Sequence, residues 1–249
     1  MPVVLCDDSE LDYLASRTKF AEGQPLRLDD SYRLAHLPLV APQHPGVIAR
    51  RDGKPYDRGR RPPVGSLVLP VPGDALHQSL TSTGLDGELR RSPLATKVAW
   101  HILPRRRDRL HATLCSSLAG GPTTASIGAT ERTALAQVGP LTVELRGLFS
   151  GNINLGRLYL RAYPEKRQGL NAFHRIQDIM GYRKTGLYVV GLYNLIDDLD
   201  AAETALLAGL IERWWDKPLL RYQVDALWLL GASDDLVLDG GVVETIPLC

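Results

Sequence analysis

The segment Leu110-His111-Ala112-Thr113-Leu114 puts an imidazole and a hydroxyl two residues apart within a short apolar run. Side chains of a β-strand alternate across its two faces. His111 and Thr113 therefore share one side, while Leu110, Ala112 and Leu114 take the other. An imidazole can carry a proton near neutral pH, and a hydroxyl can donate to a phosphate oxygen. These are parts needed to open a phosphodiester, which requires a base for the attacking water, an acid for the leaving oxygen and donors for the charge on phosphorus. Arg105, Arg106, Arg107 and Arg109 precede the pair, and guanidinium groups bind phosphate in a two-pronged fashion. For the first three, a solvated loop accounts for the charge equally well.

Other chemistry finds less support. The chain has no phosphate-binding Gly-x-x-x-x-Gly-Lys-Ser/Thr loop, no Gly-x-Ser-x-Gly elbow and no His-Glu-x-x-His helix. Gly120-Gly121 with Thr123, Thr124 and Ser126 is polar and flexible in composition but matches no nucleotide loop, and Asp197-Asp198 with Asp200 reads as a helix cap rather than a metal cage. The three cysteines, Cys6, Cys115 and Cys249, are too few and too scattered for a disulfide framework or a zinc knuckle. With 29 Lys plus Arg against 28 Asp plus Glu, the net charge of +1 creates no global attraction to nucleic acid or membrane, so any phosphate site must be local. No apolar run is long enough to span a bilayer, and Asp7, Asp8 and Glu10 do not suit a secretion signal. The expected setting is cytoplasmic.

Strands and helices alternate along the 249 residues without a repeat, which argues for an α+β fold in which helices back a sheet. Residues 1–62 form an irregular, proline-rich arm with one short helix over 10–17, and residues 63–249 form the main body. Strands are expected at 66–71, 98–103, 109–115, 141–149, 158–162, 187–195, 222–230 and 242–246. Helices are expected at 74–89, 131–138, 170–180 and 200–215. The last has the clearest signals, with Asp200 as cap, Glu203 three residues on, and an apolar stripe through Leu206, Leu207, Leu210, Ile211 and Trp214.

With these elements in order, the chain resembles the two-histidine (2H) phosphoesterase superfamily, which includes 2′-5′ RNA ligase-like proteins and cyclic nucleotide phosphodiesterases. The resemblance runs from Ser66 to Leu248. It rests on Arg109-Leu110-His111-Ala112-Thr113-Leu114, on Leu141-Thr142-Val143-Glu144-Leu145-Arg146-Gly147-Leu148, and on Gly156-Arg157-Leu158-Tyr159-Leu160, with the order of elements that follows. It implies two similar lobes of antiparallel sheet backed by helices around a central cleft, each lobe giving one His-x-Thr. It also implies metal-independent hydrolysis of 2′,3′-cyclic phosphate or 2′-5′ phosphodiester bonds in RNA or nucleotides, without a cofactor.

His111 and Thr113 then form the catalytic pair, with Arg109 and Arg157 as substrate-binding arginines. Arg157 shares a strand face with Arg161, and which face is open. The second motif should fall on Leu187–Leu195, where there is no histidine. The three possible registers share one parity, which would turn Tyr188, Val190, Leu192 and Asn194 to the cleft. Tyr188 and Asn194 would there supply hydrogen bonds, although neither replaces a base at neutral pH. His101 and His174 are weaker candidates for a second imidazole, and His36, His44 and His77 have no identifiable partner. The missing histidine also supports an alternative, an inactive member that binds a nucleotide, an RNA end or a protein partner.

Overall fold

Among the described residues, ten strands and a set of short helices, with one long helix near the C-terminus, make a mixed α+β fold around a strongly curled antiparallel sheet. The structure, a computed structural model, describes residues 2–118 and 126–249. The Gly120-Gly121-Thr123-Thr124 segment lies outside the described residues. The strands are β1 (Arg60–Pro70), β2 (His111–Leu118), β3 (Leu141–Ser150), β4 (Arg157–Pro164), β5 (Lys166–Arg167), β6 (Leu170–Asn171), β7 (Val189–Asn194), β8 (Pro218–Val224), β9 (Ala226–Asp234) and β10 (Gly240–Pro247). Eight of them form one sheet in the order β10-β9-β1-β2-β7-β4-β3-β8, and β5 with β6 makes a separate small hairpin.

The two expected lobes are thus halves of a single sheet. β10-β9-β1-β2 and β7-β4-β3-β8 meet where β2 runs antiparallel to β7, a seam whose register is Ala112 opposite Val190. Apolar residues on one side of the central strands, among them Leu69, Ala112, Leu114, Leu160 and Val190, are fully buried with Leu76, Leu89, Phe173 and Ile176 from the covering helices. This burial drives the sheet and the helices together.

Several elements differ from the sequence reading for identifiable reasons. Residues 98–103 are not a strand, because Pro93 and Pro104 flank the segment and tighten it into short 3-10 turns ending in the helix Leu103–Arg106. The helix expected over 74–89 is two, Gly73–Thr83 and Leu85–Arg91, divided at Gly84, whose φ of 91° needs a residue without a Cβ. The single strand expected over 222–230 is two strands broken at Asp225, β8 pairing with β3 at one edge of the sheet and β9 lying between β10 and β1 at the other end. β1 starts before its expected position, and a register shift against β9 between Arg60 and Val64 absorbs Pro62 and Pro63.

The long helix Ala201–Trp214 carries the expected capping box. Glu203 N–H donates to Asp200 Oδ1 at 2.8 Å, and Asp200 N–H donates to Glu203 Oε2 at 3.0 Å. Among the described residues no helix is long and apolar enough to cross a membrane.

The N-terminal arm packs on the main body, against the sheet. Tyr13 OH reaches the carbonyls of Ala162 (2.7 Å) and Tyr188 (2.9 Å), and Leu26 exchanges backbone hydrogen bonds with Leu199. Its helix Asp30–Ala35 begins at Asp29, whose carboxylate accepts from Tyr32 N–H at 2.7 Å.

Candidate active site

β2 positions the first imidazole. Alternation holds from Leu110 to Leu114, so Ala112 and Leu114 are buried while His111 and Thr113 face a cleft of about 300 Å³. Register shifts between β1 and β2 around Leu67 then break the alternation, and Ser116 and Ser117 both join the cleft wall. His111 Nδ1 lies 2.7 Å from the carbonyl oxygen of Arg109. A carbonyl can only accept, so Nδ1 carries the proton and Nε2 keeps its lone pair. Burial lowers the His111 pKa from 6.5 to about 4; the carbonyl opposes this, and the charges of Arg106 and Arg157 add to it. At neutral pH the ring is an uncharged base.

The seam with β7 fixes what stands opposite. Paired residues of antiparallel strands share a face, so Val190 lies with Ala112, away from His111. The local two-fold relation through this pair carries His111 onto Val189 and Thr113 onto Gly191. Leu187, Val189 and Gly191 accordingly line the cleft. This reverses the expected parity of Tyr188, Val190, Leu192 and Asn194. The polarity of Tyr188 and Asn194 suggested a wet face, but both side chains are buried and have hydrogen-bond partners inside the protein. Tyr188 OH donates to the Thr185 carbonyl beside Gln177 Oε1, and Asn194 Nδ2 donates to Tyr32 OH at 3.2 Å. A register shift between β4 and β7 further separates Asn194 from the Val189–Gly191 stretch.

Arg157 fills the space that a second motif would occupy. Its guanidinium lies over Gly191, and a Cβ at that position would overlap Nε, Cζ and Nη2. Arg157 Nη1 donates to the Asp235 carbonyl at 3.0 Å, while the buried Nε has no hydrogen-bond partner among the described residues. Arg161, on the same strand, is instead fully buried against Trp215. Arg109 does not line the cleft. Its guanidinium turns to the Val237 carbonyl at 3.4 Å, and its part in the site is the backbone carbonyl that orients His111. Arg106, fully buried behind β7, donates to the carbonyls of Gly191 and Leu236 at 3.0 and 2.8 Å.

The other candidate histidines are elsewhere. His101 is exposed on a 3-10 turn, and His174 Nε2 donates to the Thr185 carbonyl at 3.1 Å. His36, which the sequence left without a partner, Arg61, from a basic cluster read as a solvated loop or a positive rim beside a phosphate site, and Asp235, which the sequence did not single out, reach the cleft from the arm, the start of β1 and the loop after β9. Arg61 Nε pairs with Asp235 Oδ1 at 3.0 Å, and Tyr56 OH donates to Asp235 Oδ2 at 2.7 Å. Burial works against ionising Asp235, but His36, Tyr56 and Arg61 outweigh it and hold its pKa below the ordinary value. No local pattern around His36 marks it as functional. It becomes visible only once the arm is seen packed on the sheet.

His36 is fully buried, which lowers its pKa from 6.5 to about 3, with the charge of Arg157 acting in the same direction. Two histidines held neutral make stability depend on pH with a definite sign. Below pH 6.5 the unfolded chain takes up protons that the native state refuses until about pH 4 (His111) and about pH 3 (His36). The stabilisation is therefore complete above pH 6.5 and is lost as pH falls through this window. Urea unfolding at pH 7 and pH 4.5 should show the wild type losing roughly 2 kcal/mol more than His36→Leu across this interval. Equal losses would contradict the assignment.

No family model matches the chain, and comparison with curated proteins gives no match. Among solved structures, TT0787 of Thermus thermophilus is similar at 12% identity with a TM-score of 0.40, over 74% of this chain and 97% of that one.

Proposed function

We propose that the cleft receives a phosphate ester, and that the protein is a metal-independent phosphodiesterase acting on 2′,3′-cyclic phosphate or 2′-5′ phosphodiester bonds of RNA or nucleotides. The observation that carries this reading is the convergence of His111 Nε2, the Thr113 hydroxyl and the Arg157 guanidinium on one cleft. For a cyclic phosphate, a water oxygen bonds to phosphorus while its proton passes to His111 Nε2. The P–O bond to the ribose then breaks, and the same proton is returned to the leaving oxygen. Thr113 and Arg157 stabilise the charge that builds on the equatorial oxygens.

A second reading, binding without turnover, is favoured by Val189 and Gly191 standing where the two-fold relation would put another histidine and threonine. Incubation with 2′,3′-cyclic nucleotides and 2′-5′ dinucleotides in the presence of a chelator separates the two. The expected result is conversion to a nucleoside monophosphate. Saturable binding without product would establish the second reading, and the absence of both would overturn the phosphate assignment.

A further inference from the structure

His36 is costly where it stands. A fully buried imidazole normally satisfies both ring nitrogens, yet neither Nδ1 nor Nε2 of His36 has a hydrogen-bond partner among the described residues. The Nε of Arg157 is equally unpartnered, and both side chains line the same cleft. Leaving a buried polar group unsatisfied destabilises the native state, so an apolar residue at position 36 would stabilise the fold. The surroundings nevertheless hold the ring firmly in place. Tyr32, one turn before it, donates to the Leu195 carbonyl at 2.6 Å, accepts from Asn194, and lies with its ring centroid 5.1 Å from that of His36. Arg33, on the same helix, pairs with Asp198 at 3.1 Å. Gly156 lets this helix approach β4, since a Cβ there would overlap Leu28 and the Tyr32 ring.

We infer that His36 and Arg157 together form the phosphoryl-oxygen subsite of the cleft, the arm supplying from outside the sheet the second imidazole that β7 lacks. This rests on the phosphate-ester reading given above. The neutral ring donates one N–H to an anionic oxygen, and Arg157 donates from Nε beside it. The charged groups around this subsite are Arg157, Arg61 and the buried Arg106, countered by Asp234 and Asp235, which leaves a small excess of positive charge for an anion. In this site His36 binds the ligand, and His111 moves the proton.

The test uses the full chain with 3′-AMP and 2′-AMP as non-reacting probes and inorganic phosphate as the minimal one. Binding is followed by calorimetry, and the His36 ring by NMR of protein labelled at histidine. Wild type should bind at least one probe, with the His36 ring resonances shifting in proportion to occupancy. His36→Asn should weaken the dissociation constant tenfold or more. His36→Leu should lose binding to the same degree while raising the thermal midpoint, so that loss of folding cannot explain loss of affinity. Undiminished binding by His36→Leu, or His36 resonances that stay fixed while the probe saturates the protein, would overturn the subsite and leave the phosphate reading standing. Failure of wild type to bind any probe would overturn both.

Discussion

Replacing His111 with asparagine should slow hydrolysis of a 2′,3′-cyclic nucleotide by about 10²–10⁴-fold, with the thermal midpoint little changed. Asparagine is similar in size and can keep the hydrogen bond to the Arg109 carbonyl through its amide, so the strand need not move. It lacks any group that can accept the proton of water at neutral pH. The loss should appear in kcat rather than KM, since the phosphate is held by other residues. The pH profile supplies a second, independent signature. His111 must be unprotonated to act, so kcat/KM should fall on the acid side near pH 4 and not near 6.5. An acid limb centred at 6.5 would mean that the base is a solvated histidine elsewhere. A variant as fast as wild type would remove His111 from the mechanism altogether.

What the sequence made legible follows from which signals are local. The strand carrying His111-x-Thr113, the capping box at Asp200 and the apolar stripe after it are all set within a few residues; the strand and the cap are found as read, and the stripe loses only Leu206, which is exposed while Thr204 is buried in its place. The face of β7 is not a local property. Its residues are nearly all apolar or buried, so strand alternation carries no label, and only the pairing of Val190 with Ala112 across the seam decides which side is wet. The arm is a stronger case. Its prolines prevent long elements, and nothing in its pattern shows that the turn after Ala35 is pinned through Tyr32 and Arg33 to the β7 end and to Asp198. Buried polar residues that serve a site look, in sequence, the same as residues of a solvated loop.

The basic residues show the same limit. Arg50, Arg51, Arg58, Arg60 and Arg61 form one cluster in sequence, but they separate in space. Arg50 and Arg51 make exposed pairs with Asp57 and Asp30, whereas Arg61 enters the cleft against Asp235. Likewise Arg106 is fully buried, while Arg107 reaches Asp74 at the surface. Charge density along the chain predicts neither outcome, because each depends on whether the strand or helix that follows turns the side chain inward. Gly191 is the clearest example. Within an apolar strand it reads as a weak point, and its purpose is the room it gives to the guanidinium of Arg157.

Arg161→Met should lower stability by about 3 kcal/mol, a fall in thermal midpoint of roughly 6–12 °C for a chain of this size. Arg161 is fully buried, with its guanidinium 3.7 Å from the Trp215 ring centroid and 3.2 Å from Asp8 Oδ1. It also donates to the Trp215 carbonyl and to Tyr163 OH. Methionine fills much of the volume but leaves the Trp215 carbonyl without the Arg161 donor and Asp8 without its counter-charge, although Tyr163 OH and Trp215 Nε1 still donate to the carboxylate, and a partner stripped of its counter-charge is what makes such losses large. Arg161→Lys should recover little, because an ammonium cannot span Asp8 and the Trp215 carbonyl while stacking on the indole. Removing the exposed Arg50–Asp57 pair should leave the midpoint almost unchanged, because solvent screens it, which provides the control. Asp8 belongs to the arm, so the same substitution should also loosen the segment that leads to His36. Weaker binding of 3′-AMP at a temperature where the variant is still folded would show that arm and cleft act as one unit. A midpoint within about 2 °C of wild type would mean that the guanidinium contributes little to holding the arm.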